Sequence, residues 1–389
     1  MVVESESERS SAVRRGLPWY AFGLANLAVI LVLSLAFWWL LADPQWSPLG
    51  LYPQPITAAL FWVILVTVFV GFNLEFAGFG RLKQPVRGVA AIAVIIVVAV
   101  LILIIFARGW GTFDPAFAAG REGGLGYQTA SLFVLFGFLI FVMAVINWGH
   151  WPWSAVGLKQ PWLGIAEIGV MTIPTFILFA FFALPGLASW AQPGHVIMEV
   201  NTTIGFFYSI VVSVIITGLL TENWPWRLAG PGGRTALAST IGNLVLGTVL
   251  YFILLGIAHL IMSPADIAAL GSGVGVMAAE IGVCWAFWMI LWANAFGNWP
   301  TKFTPVVNYV VRIVVTFVLG VLTFAVYSYW AAQNVLHEPQ LVGSVYGNAL
   351  GFIDWMVMFT LFYVVCLGSF GLPAMKAGAP AAAESTTEV

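Results

Sequence analysis

Charge is what this sequence has least of. Only 8% of its 389 residues are Asp, Glu, Lys or Arg, where a water-soluble domain carries about 25%. Most of the chain therefore has no water to face. Fourteen Lys and Arg stand against sixteen Asp and Glu, a formal net charge of −2. No basic patch interleaves with aromatics, which excludes a nucleic-acid surface. Histidine is scarce as well, at four residues, too few for the ligand set of a membrane di-iron hydroxylase or desaturase. Paired haem ligands would have to be improvised from His195, His259 and His337, and nothing in their spacing asks for it. Cys284 and Cys366 are the only cysteines, and each falls within an apolar run. Neither a disulfide framework nor a redox pair follows. Nucleotide fingerprints, a Walker A sequence and a nucleophile elbow are missing too. Loops between apolar runs reach only about twenty residues, leaving no soluble catalytic domain.

What the chain does have is apolar length. It is 61% hydrophobic and 15% aromatic. Ten apolar runs lie at 17–42, 57–77, 88–107, 129–147, 162–189, 203–220, 236–262, 273–296, 305–332 and 346–371. Each is close to the roughly 20 residues that a helix needs to cross hydrocarbon at about 1.5 Å per residue. The runs are continuous rather than alternating, which favours helices over a barrel. The expected fold is an all-α polytopic membrane protein, with one transmembrane domain over 17–371. Tails at 1–16 and 372–389 read as disordered by composition. The first run is too long for a cleaved signal peptide and reads as a retained anchor.

Lys and Arg set the orientation. Arg14 and Arg15 precede the first run, and Arg81, Lys83 and Arg87 lie between the second and third. Lys159, Arg227, Arg234, Lys302 and Lys376 mark every later loop on that side, whereas the opposite side has only Arg108 and Arg121. The positive-inside rule then predicts a cytoplasmic (inner) membrane protein with both termini in the cytoplasm.

The loops on the basic side share a corner motif. Trp151-Pro152-Trp153, Asn223-Trp224-Pro225-Trp226 and Asn298-Trp299-Pro300 follow one another at spacings of 73 and 75 residues. Leu82-Lys83-Gln84-Pro85-Val86-Arg87-Gly88 matches Leu158-Lys159-Gln160-Pro161-Trp162-Leu163-Gly164 at a spacing of 76. These predict four helical hairpins of about 75 residues in one orientation, at about 57–107, 129–189, 203–262 and 273–332, with the first and last helices outside the repeat. Copies pointing the same way imply a pseudo-axis along the membrane normal. Trp and Pro suit an interface and a helix stop. Asn147, Asn223 and Asn298 are placed to pair with carbonyls left over at helix C-termini.

Ionisable residues inside the runs are the functional candidates, because each costs about 2.5 kcal/mol or more at depth. Glu280 and Asp354 lie at comparable depth towards the outer side, with His259 nearby. Together they suggest proton or cation coupling, or, in the alternative, a site for a divalent metal ion. His195 with Glu199, and His337 with Glu338, read as solvated loop residues. Nearer the cytoplasm, Glu167 and Arg312 sit at similar depth, and a buried ion pair is the simplest way to tolerate both. Gly343, Gly347 and Gly351 read as a small-residue ridge along the last helix, able to dock another helix, a second copy or a partner subunit.

The sequence thus predicts a secondary transporter or permease for a small solute, without a catalytic centre. Coupling or solute binding would fall to Glu280, Asp354, Glu167 and Arg312. The alternatives are a metalloprotein or enzyme subunit with a site at His259, Glu280 and Asp354, and a structural subunit of a membrane complex.

Overall fold

A computed structural model describes residues 16–114, 117–118, 125–188, 190–191 and 193–376. Arg14, Arg15, Arg121 and most of both predicted tails lie outside the described residues. The described chain is almost wholly helical. Ten helices are long and apolar enough to cross a membrane: α1 Trp19–Leu41, α2 Ile56–Asn73, α3 Val86–Phe113, α4 Leu125–Ile146 and α5 Trp162–Phe182, then α6 Val200–Leu220, α7 Gly233–Ile261, α8 Pro264–Ala295, α9 Pro305–Asn334 and α10 Ala349–Cys366. This is a multi-pass membrane protein. Its described ends meet, since Leu17 and Met375 form a parallel bridge, with Leu17 N–H donating to Ala374 O at 2.9 Å.

The helices sort by chain order into two shells. The even-numbered helices form a closed ring, in which α2 packs on α4, α4 on α6, α6 on α8, α8 on α10 and α10 back on α2. Each odd-numbered helix lies outside, against the ring. Burial follows the same division: 94% of α10 is buried within the protein, against 22% of α3. The outer helices bury one stripe at helical spacing, as in Ala91, Ile95, Ala99, Leu103 and Ala107 of α3. Their remaining faces present Val97, Leu101 and Ile105 outward. An inner helix such as α8 is buried without interruption from Met277 to Phe287.

Lipid is as apolar as the core, so close backbone approach and dispersion hold the helices together. Gly205 of α6 shows this best. A Cβ there would overlap the Gly275 carbonyl of α8 and crowd Tyr251 of α7.

Two details differ from the sequence expectation. Helix α8 starts earlier than its apolar run, with a short first segment over Pro264–Leu270 where the sequence reads as a loop. Ser263 Oγ accepts from the Asp266 N–H, Pro264 occupies the first turn, and Gly271 at φ +54° ends the segment before the long one begins at Val274. The glycine ridge does not form. Gly343 (φ +50°) begins the two-residue turn of a small hairpin, Gln340–Val342 against Val345–Tyr346, and Gly347 (φ +76°) lies in the loop after it. Gly-Ser is a natural turn pair there, so helical spacing in the sequence is overridden. Helix α10 starts only at Ala349, where Asn348 Oδ1 accepts from the Leu350 N–H. Gly347 and Gly351 are buried beside Glu338 of their own chain.

Candidate functional site: an axial waist and a ring of corners

At the corner face, where the Trp-Pro loops lie, four inner helices contain widened π-turns: Phe69–Asn73, Phe138–Val142, Ile216–Leu220 and Leu361–Cys366. Such turns and helix ends leave carbonyls outside the α-helical ladder. At the end of each of these four helices a carbonyl is met from a neighbouring hairpin. Gln160 Nε2 donates to Asn73 O (2.8 Å), Asn223 Nδ2 to Asn147 O (2.7 Å) and Asn298 Nδ2 to Leu219 O (2.9 Å). Gln84 Nε2 donates to Cys366 O (2.7 Å), which links α10 to the α2–α3 corner. Asn223 and Asn298 thus cap carbonyls, but those of the helix next door. The matched segments around Gln84 and Gln160 also do one job. Each Gln Oε1 accepts an N–H, from Gly88 and Gly164 respectively, where a Cβ would collide with the neighbouring helix end.

The charges of this layer do not pair as expected. Glu167 Oε2 accepts from Asn73 Nδ2 (2.9 Å) and lies 2.9 Å from His150 Nδ1, and His150 Nε2 is 3.5 Å from Glu75. Arg312 instead reaches Glu222 (3.1 Å) and donates to the carbonyls of Leu220 and Pro300. The two never meet, because α5 packs on α4 and the end of α2, whereas α9 packs on α8 and the end of α6. The hydrogen bond with Glu167 holds the His150 imidazole above its ordinary pKa, against the opposing effect of its partial burial.

Two cavities follow the ring axis. That on the corner side is about 350 Å³, and all five inner helices line it, from Ile64, Val68 and Phe72 through Ala293 and Asn298 to Asp354 and Val357. That on the far side is about 280 Å³ and is also lined by all five, with a polar rim of Gln54, Thr57, Gln128, Ser131, Asn201 and Asn348. Phe138 and Tyr208 belong to both walls and mark the waist between them. Asp354 reaches the corner-side cavity there. It is 3% exposed, faces the Tyr208 hydroxyl, and its Oδ2 has no hydrogen-bond partner.

Farther towards the far face, the start of α10 gathers two more carboxyls. Glu280 of α8 faces the Ala349 N–H. Glu338 is bonded by the Tyr327 hydroxyl and faces the Asn348 N–H and Tyr52. First-turn N–H groups have no partner within their own helix, so carboxyls suit them. Burial pushes the Glu338 carboxyl up to about 8. The solvated reading of residues 337 and 338 is therefore corrected: Glu338 is 3% exposed, and His337 Nδ1 lies 2.8 Å from Asp43. No periodic signal marks them, because the contacts come from a loop folded back on α9.

His259 is exposed on α7, apart from the buried Glu280 and Asp354. Among the described residues no three His, Cys, Asp or Glu side chains group closely enough to hold a metal ion. His195 is exposed, and Glu199 caps α6 by accepting from the Thr202 N–H. Comparison with protein-family models, with curated proteins and with solved structures finds no match.

Proposed function

We propose that the protein is a secondary transporter or permease that moves a small solute along the axis of the inner ring, with Asp354 as the binding or coupling carboxyl at the waist. One observation carries this reading: two cavities, each lined by all five inner helices, share only Phe138 and Tyr208. A route that passes a narrow waist, rather than an open pore, suits a carrier that exposes its site to one side at a time. Glu280 and Glu338 stand on the far side of the waist as further carboxyls for proton or cation coupling. Glu167 and Arg312 bind the corner layer together in this reading and do not touch the solute.

The Lys and Arg distribution supports placing the corner face and both termini in the cytoplasm, in a cell's inner membrane. The hairpin repeat extends naturally to a fifth unit, α10 followed by α1. Ser369 Oγ donates to Asn26 Oδ1 on the buried stripe of α1, as other corners are tied to outer helices.

Uptake into vesicles reconstituted with the purified protein, with and without a proton gradient, tests the proposal. Asp354→Asn is expected to lower uptake by about tenfold or more, the loss of one charge-assisted contact. Undiminished uptake by the double variant Glu280→Gln, Asp354→Asn would remove the coupling claim.

A further inference from the structure

The corner-side cavity has a particular hydrogen-bonding character. Its wall is overwhelmingly aliphatic and aromatic, with Val68, Phe138, Val211, Ala286 and Val357 among the lining residues. Two lining side chains carry a buried oxygen without a partner: Asp354 Oδ2 at the waist and Asn298 Oδ1 towards the corner mouth. The Asn298 assignment follows from chemistry, because its other amide atom bonds the Leu219 carbonyl and must be the nitrogen. Asn298 Oδ1 is an acceptor, and Asp354 Oδ2 is one whenever the carboxyl is ionised, so the partner that the ionised site lacks is a donor. Among the described residues that line the cavity there is no Lys, Arg or His to supply it.

We infer that this cavity binds an amphipathic organic cation, with an ammonium group on the Asp354 carboxylate and an apolar body along the wall. The inference rests on the transport reading in taking the cavity for the solute site, and it adds the solute's chemical class. A volume of about 350 Å³ is within the range of small-molecule pockets. An ammonium donates hydrogen bonds and neutralises a carboxylate that would otherwise stand unpaired in a low-dielectric wall. Phe138 and Tyr208 also put aromatic rings in the same wall, and aromatic rings attract cations. A neutral apolar solute would leave both oxygens unpaired, and an anion would meet the Asp354 carboxylate with no Lys, Arg or His in the wall to balance it. A bare calcium or magnesium ion takes six or more oxygens, far more than this wall offers, and a four-coordinate ion such as zinc would need further His, Cys or carboxylate ligands.

The test is saturation binding of labelled phenethylammonium to the purified full chain, with phenethyl alcohol and 3-phenylpropionate as competitors. Saturable binding is expected, weakened by about tenfold or more in Asp354→Asn, as for loss of a charge-assisted hydrogen bond. Both competitors should act at least about tenfold more weakly than the amine, since neither offers a cationic donor. Ala293→Phe fills the cavity without altering the carboxyl and should also weaken binding, so the inference stays testable if Asp354→Asn fails to fold. Equal affinity in the wild type and folded Asp354→Asn, or equal competition by the alcohol, overturns it. Failure of Ala293→Phe to weaken binding overturns the location. Amine binding without vesicle uptake would sink the transport reading and leave the site standing. Uptake of another solute without amine binding would do the reverse.

Discussion

The corner face and the waist both bury polar groups, and they treat them in opposite ways. At the corners, carbonyls released by widened or ending helices are met by Gln84, Gln160, Asn223, Asn298 or Arg312 from a neighbouring hairpin. At the waist, Asp354 lines a cavity and its Oδ2 has no hydrogen-bond partner. Glu167 Oε1 and Arg312 Nε are also unpartnered, but neither residue lines either axial cavity, and the other atoms of both are bonded to neighbouring elements. Satisfied networks fix which helices touch, and an unmet acceptor beside open volume waits for a ligand. Asn298 belongs to both regions, since its Nδ2 caps Leu219 O while its Oδ1 is unmet and the residue lines the same cavity.

Stability gives the largest contrast. Arg312→Ala strips donors from the Leu220 and Pro300 carbonyls and should cost about 3 kcal/mol, from two buried acceptors left unpaired. Asp354→Asn keeps the volume and the polarity, and should cost less than about 1 kcal/mol while uptake collapses. Thermal unfolding in detergent measures both, and similar losses would erase the distinction. A smaller effect is expected from single caps. Asn223→Ala and Gln160→Ala should each cost about 2 kcal/mol, the net worth of the two hydrogen bonds each side chain makes. Because they cap different helices, the double variant should lose roughly the sum. Strong coupling would mean that the corners act as one unit rather than as separate clasps.

The smallest effect is on the pH profile. The Glu167 contact raises His150 in the folded protein, so that contribution is complete below the unfolded value of 6.5 and fades as pH rises through the folded one. His150→Gln should flatten the decline in thermal midpoint on the alkaline side. At the far face burial does the same to Glu338. Folded protein keeps a proton that the unfolded chain releases above 4.5, and this contribution falls away as pH approaches about 8. Glu338→Gln should remove that part of the slope. A midpoint that rises over this range in the wild type would contradict both assignments.

The sequence by itself determined that this chain forms ten helices long and apolar enough to cross a membrane, because hydrocarbon accepts no unpaired backbone and demands apolar length. It also marked the corners, since a helix must stop there and its carbonyls need caps. Asn223 and Asn298 were legible as capping residues, and Asp354 as an ionisable group placed at a cost inside an apolar run. Tertiary structure alone decided which carbonyl each cap meets, that Glu167 and Arg312 face different neighbours, and that the spaced glycines around 343–351 turn a hairpin. It alone placed the even-numbered helices inside. Lipid and protein core are equally apolar, so hydropathy is blind to which of them a helix faces. Only packing brings Asp354 to an axial cavity and leaves one of its oxygens unmet.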